Sequence, residues 1–360
     1  MQKSPLKRGW NGAETNMVKK VAGVTAAVLL MAPVTLMGAD RDDRTVIVTS
    51  SNTTENHLRV YDRAGTLIQE VPTLGQGGAS SNAGGIATHN GTVAVVNFAS
   101  LTVSLFSRSE AGFELRQTIP TSSQPVSVAF GKTHLYILGT TSVESHRFAL
   151  DGVEAYADGT AGLLLADGSV AQVVVAGDEL IVTEKSGALE RVGLREGAVF
   201  GSPVAIALAE GLSNTPFGLT TRGSNTYVTF AGSDTVGVVK NDRQTTFAAV
   251  GIPGGAGQHA PCWITVVGPY LFTTNSPSHS VSRLIAAGAT VLLDDPVAAQ
   301  TTGAPIDVAA EGDLLALVES DGAGASHLTQ FRIDEDGTLT RTVSTAIASS
   351  ANGIAIVTQK

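Results

Sequence analysis

The sequence has a single cysteine, Cys262, which excludes any intramolecular disulfide and leaves stability to the packing of a core. Charge is sparse, at 15% of residues, and its balance is acidic, with a formal net charge of -9. Proteins that bind a phosphate backbone displace counterions with a basic patch, so nucleic acid is excluded as the main partner. Aromatic residues make up only 5%, and no helical periodicity appears after residue 39. What is abundant is glycine, 40 residues in a chain of 360, on a background of Val, Thr and other small side chains. That mixture favours many short strands joined by turns.

The one basic concentration is N-terminal. Lys3, Lys7, Arg8, Lys19 and Lys20 precede the apolar run Val21 to Leu36, and Met37-Gly38-Ala39 ends in small residues before Asp40. Residues 1–39 therefore read as an N-terminal extension and signal peptide, cleaved after Ala39. Met17 stands at the usual distance before such a signal, which makes the residues ahead of it an upstream extension. A membrane anchor is the alternative, but Thr25, Pro33 and Thr35 weaken a run that is short for a full span. The expected location is secreted, periplasmic or in the cell envelope, with no membrane span after cleavage.

From residue 44 onward a unit of about 45 residues repeats. Its openings are Gly85-Ile86-Ala87, Pro125-Val126-Ser127-Val128, Val170-Ala171-Gln172-Val173, Pro216-Phe217-Gly218-Leu219, Pro261-Cys262-Trp263-Ile264, Pro305-Ile306-Asp307-Val308 and Asn352-Gly353-Ile354. A turn and a second strand follow each full opening, as in His89-Asn90-Gly91-Thr92 leading to Val93-Ala94-Val95-Val96. A third strand alternates, as in Ser280-Val281-Ser282-Arg283-Leu284, and a weaker fourth reads as Phe113 to Arg116 or Thr338 to Arg341. Four short antiparallel strands per unit make a propeller blade. Thr45 to Thr49 is a second strand with no opening before it, and Asn352 to Val357 is an opening with nothing after it. The pattern predicts an all-β, seven-bladed β-propeller over residues 40–360, closed by pairing the N- and C-terminal strands in one blade.

The openings Pro125 to Phe130 with Leu135-Tyr136-Ile137-Leu138, and Ala260-Pro261-Cys262-Trp263 with Phe272-Thr273-Thr274-Asn275, resemble the lactonase-like, or YVTN-type, seven-bladed propellers. Tyr227-Val228-Thr229-Phe230 is a local version of the strand ending that names the latter group. The resemblance implies the fold and, through relatives such as the 6-phosphogluconolactonases, a hydrolase chemistry. The chain departs from the pattern of those enzymes at two places. Val126 stands where they carry a His, and Leu138-Gly139-Thr140 lacks their Asp, so no catalytic residue carries over at these positions.

In a propeller the openings surround a central channel, and the loops from second to third strands rise on the same face. The channel candidates are Asn82, Gln124, Gln172, Asn214, His259, Trp263, Asp307 and Asn352, and the loop candidates are Asn97, Glu184, Lys185, Asn275, His279 and Glu319. Asp307 reads either as a desolvated carboxyl of useful pKa or as an acceptor for loop amides. His259 is a general base if it faces the channel, or a solvated loop histidine. Cys262 is a nucleophile or a small buried hydrophobe, and Trp263 a ligand platform near the mouth or core filling. The remaining histidines lack metal-type spacing, and the acidic stretches around Asp40 and Asp334 lack a calcium-loop motif, so neither metal nor cofactor is expected.

Three functions fit these residues. One is a binding module that uses Trp263, Asn82, Gln124, Gln172, Asn214, Asn275 and Asn352 to hold a small polar ligand or an envelope protein. Another is a lactonase-type hydrolase in which Asp307, His259 or Glu184 activates water and Lys185 or amide donors stabilise the oxyanion. The third is a structural protein of the envelope.

Overall fold

The structure, a computed structural model, describes residues 44–80, 84–208, 215–240, 243–249 and 257–358. The signal segment expected at 1–39, and the candidates Asn82 and Asn214, lie outside the described residues. The described chain is all β, with strands β1 (Thr45–Ser50) to β29 (Asn352–Thr358) in chain order.

The unit comprising β21 (Pro261–Val267), β22 (Tyr270–Asn275), β23 (Ser280–Ala287) and β24 (Thr290–Gln300) illustrates how sequence becomes blade. A two-residue turn, Gly268-Pro269, joins the first hairpin, with Gly268 at φ +54° supplying the conformation that a tight hairpin needs. In β22, Leu271 to Asn275 are all buried, because neighbouring blades cover both faces of a middle strand. Polar side chains there must find partners inside. Asn275 Nδ2 donates to Ser280 Oγ at 3.1 Å and to Ser282 Oγ at 2.8 Å.

Seven antiparallel sheets of this kind follow one another. The seventh has the order β29-β1-β2-β3, with β2 (His57–Tyr61) and β3 (Leu67–Pro72) outside β1. In it Ile47 pairs with Ile356 and Val48 with Ala355, which is the closure expected from the sequence. The second blade differs from its siblings in having a split outer strand, β11 (Gly152–Val153) and β12 (Gly159–Gly162), both paired to β10 (Ser142–Ala149). Asp158 in the interruption pairs with His134 Nε2 at 2.8 Å and accepts from Ser145 Oγ at 2.7 Å, which draws the chain inward before β12 resumes the ladder.

The innermost strands are β4 (Ile86–His89), β8 (Pro125–Phe130), β13 (Val170–Ala176), β17 (Pro216–Arg222), β21, β25 (Ala304–Glu311) and β29, each touching the next around the ring. The pairing register of β8, β13, β17, β21 and β25 shifts near the strand start, for instance between Pro305 and Asp307. Just after that irregularity one position links blade to blade. The Val173 N–H donates to Ser127 Oγ (3.3 Å), the Leu219 N–H to Gln172 Oε1, and the Ile354 N–H to Asp307 Oδ2 (3.2 Å). The equivalent residue of β17 is Gly218, where the backbones approach so closely that a Cβ would overlap the Cys262 carbonyl oxygen and stand 2.9 Å from Trp263 Cα.

Candidate functional site

Two cavities lie along the ring of innermost strands. The first, about 370 Å³, occupies the mouth at the face where these strands begin, and is lined by Phe98, Val126, Val170, Lys185 and Phe217 with Ala79, Ser80 and Gly168. The second, about 390 Å³, lies further along and is lined by Gln172, Trp263 and Asp307 together with the middles and ends of the strands. No lining residue is common to both. Phe217 belongs to the mouth and Trp263 to the inner chamber, and the two rings meet edge to face, centroids 5.3 Å apart at 70°.

Lys185 follows directly on β14 (Glu179–Glu184) and is anchored by its own N–H on the Ser169 carbonyl at 2.7 Å. Its ammonium sits 5.4 Å from the centroid of the Phe217 ring, an attractive cation–π geometry. Burial pulls its pKa below the ordinary lysine value, a shift that the nearby Asp167 carboxylate opposes. Cys262 lies close to it. Burial pushes this thiol up to about 11, and Sγ donates to the Ala260 carbonyl at 3.2 Å, so it is a neutral packing group at physiological pH.

Asp307 is buried and lines the inner chamber. Oδ1 accepts the Val308 N–H at 2.8 Å and Oδ2 the Ile354 N–H, and burial, only partly offset by these bonds, pushes its pKa up to about 8. Glu184 lies under the loop before β13, where its two oxygens accept the N–H groups of Leu165 and Ala166, each at 2.9 Å. Glu319 also serves a loop, its Oε2 alone accepting from the N–H groups of Thr302 (2.9 Å) and Gly303 (3.0 Å).

His259 lines neither cavity. It is exposed, with Nδ1 2.9 Å from Asp234 Oδ2, while Asp234 Oδ1 accepts the Ala260 N–H at 2.7 Å. Asn275 is buried within its blade, and Asn97 bonds Ser104 and Asn56. Asn352 donates to the Ala79 carbonyl at 3.2 Å beside the mouth, and His279 is exposed. Gln124 lines neither cavity. Trp263, expected near the mouth, lies beyond Phe217 in the inner chamber. Of the residues considered for catalysis, the structure thus brings Lys185 to the mouth and Asp307 to the chamber, with Glu184 and His259 in neither.

Three participants were not singled out from the sequence. Phe217 lines the mouth and packs edge to face on Trp263, and only its place in the Pro216-Phe217-Gly218-Leu219 opening points to it. Asp234 holds His259 from the preceding blade. Glu190, buried behind the same loop as Glu184, accepts the Leu164 N–H at 3.0 Å, and burial plus the neighbouring Glu184 pushes it up to about 7.

No protein-family model matches the chain, and no curated protein matches it in sequence. Solved structures do match. A candidate 6-phosphogluconolactonase from Bacteroides fragilis superposes with TM-score 0.65 at 13% identity, over 89% of this chain and 99% of that one. The periplasmic gluconolactonase PpgL of Pseudomonas aeruginosa gives 0.62 at 14%, over 87% and 99%. AztD of Citrobacter koseri gives 0.54 at 10%, over 87% and 97%. Identities this low speak to architecture. In fold, the chain is a seven-bladed β-propeller.

Proposed function

We propose that this protein is an exported binding propeller whose mouth pocket holds a small organic anion, of the kind a sugar acid provides. The carrying observation is Lys185, the one charged side chain among the described residues that line the mouth, set against the ring of Phe217. A partly desolvated ammonium beside an aromatic wall favours a carboxylate with an apolar or hydroxylated body. Export is supported by Lys19 and Lys20 ahead of the apolar segment from Val21. A periplasmic structural neighbour is in keeping with it.

Isothermal titration of the full chain with D-gluconate tests the reading. Binding that weakens tenfold or more, about 1.4 kcal/mol, in Lys185→Ala and is largely kept in Lys185→Arg supports it. Binding indifferent to Lys185→Ala sinks it.

A hydrolase acting on a sugar lactone is the second reading. One observation favours it: the Asp307 carboxyl lines a cavity with its pKa raised to about 8, a value suited to proton transfer near neutrality. Turnover of D-glucono-1,5-lactone by the wild type, abolished in Asp307→Asn, would establish it in place of the first.

A further inference from the structure

We propose that the inner chamber is a second binding site, separate from the mouth, for a neutral polyhydroxylated molecule such as a monosaccharide, held by the Gln172 amide and a set of threonine hydroxyls, with the buried Trp263 packed at its edge. Its volume, about 390 Å³, falls within the range of small-ligand sites. It shares no lining residue with the mouth, and Lys185 is not among the residues that line it.

The chemistry of the lining selects the class. Among the described residues around the chamber there is no lysine, arginine or histidine, and its two titratable side chains, Asp307 and Glu311, are both acids. An anion entering would meet no counter-charge and would lose hydration without replacement, which is costly. A cation is poorly served as well, since each oxygen of Asp307 accepts a backbone N–H and Glu311 stands exposed to water at the end of β25. What the chamber offers is neutral hydrogen bonding. Thr88, Thr220, Thr221 and Thr265 line it from three different blades. Each is only partly buried, and each hydroxyl both donates and accepts. Gln172 Oε1 is engaged by the Leu219 N–H, which fixes the amide and leaves its NH₂ as a donor. Hydroxyls and an amide, beside the aliphatic lining of Ile264, Val308 and Ile356, suit a molecule with apolar C–H faces and a rim of hydroxyl groups.

Trp263 is also the reporter. The chain has two tryptophans, so in the full-length Trp10→Phe protein the emission comes from Trp263. This protein is titrated with D-glucose, D-galactose and myo-inositol, with D-gluconate as the anionic control. A saturable change in emission is expected with at least one neutral compound. Its apparent affinity should fall tenfold or more in Thr265→Val or Thr88→Val, which keep shape and strand propensity, and stay within twofold in Lys185→Ala. Two variants in different blades guard against a folding defect in either. No saturable response to any of the three neutral compounds overturns the proposal. So does a response that survives both threonine variants, or one that disappears with Lys185→Ala, which would assign it to the mouth. Gluconate binding lost in Lys185→Ala and kept in the threonine variants would leave the mouth reading intact whatever the chamber does.

Discussion

Asp307 Oδ2 accepts the Ile354 N–H at 3.2 Å and so ties the sixth innermost strand to the seventh, where Gln172 and Ser127 make the same link elsewhere in the ring. Asp307→Ala leaves two buried amides without their acceptor and is expected to lower stability by about 1–3 kcal/mol. Asp307→Asn keeps one acceptor oxygen and should cost less. Urea denaturation of both variants checks this, and an unchanged midpoint for the alanine variant would mean the link carries no weight.

The raised carboxyls set a direction for pH. Glu190 (about 7) and Asp307 (about 8) hold protons more tightly folded than unfolded. Their contribution to stability is therefore full below their unfolded values near 4 and is lost as pH rises through 7 to 8. Melting temperature should fall from pH 5.5 to pH 8.5, and Glu190→Gln should flatten part of that slope. A melting temperature that climbs over this interval would contradict the assignment.

Cys262 should be inert in the folded protein. With its thiol at about 11 and buried, iodoacetamide at pH 8 is expected to leave it unmodified in buffer and to alkylate it fully in guanidinium. Mass spectrometry distinguishes the two cases, and rapid labelling under native conditions would show that the thiol is reached from the mouth.

Gly218→Ala probes the close approach of β17 to β21. The added methyl would overlap the Cys262 carbonyl and press on Trp263 Cα, neither of which is the end of a flexible side chain. A loss of about 1–3 kcal/mol is expected, with a shift in Trp263 emission as the Phe217–Trp263 contact is displaced. Gly288→Ala is the control, since no atom crowds that site although its φ of +65° adds strain of another kind.

The architecture was legible in the sequence because each blade carries its own local signals. The Asn90-Gly91 turn, the alternation in Ser280 to Leu284, and the unmatched strands at Thr45 and Asn352 are all readable within a few residues. The site was not, because its members come from strands some 45 residues apart and their neighbours look alike. Nothing beside Ser127, Gln172 or Asp307 states that all three share one ring position, and nothing beside Trp263 says that its ring meets that of Phe217. His259 takes its meaning from Asp234 in another blade. Glu184 and Lys185 are adjacent in sequence, yet the first turns into a loop's amides and the second towards the cavity.

The seam between β1 and β29 also sets a demand on assembly. β1 is the first described strand and its inner partner β29 the last, so the seventh blade alone is completed by segments from opposite ends of the described chain. Such a distant pairing makes the sealing step slow compared with hairpin formation. Until it occurs, β1 offers an unpaired edge to any matching strand. At high concentration that match is the β29 of another molecule, and the trapped species of refolding should then be strand-exchanged dimers whose yield rises with concentration.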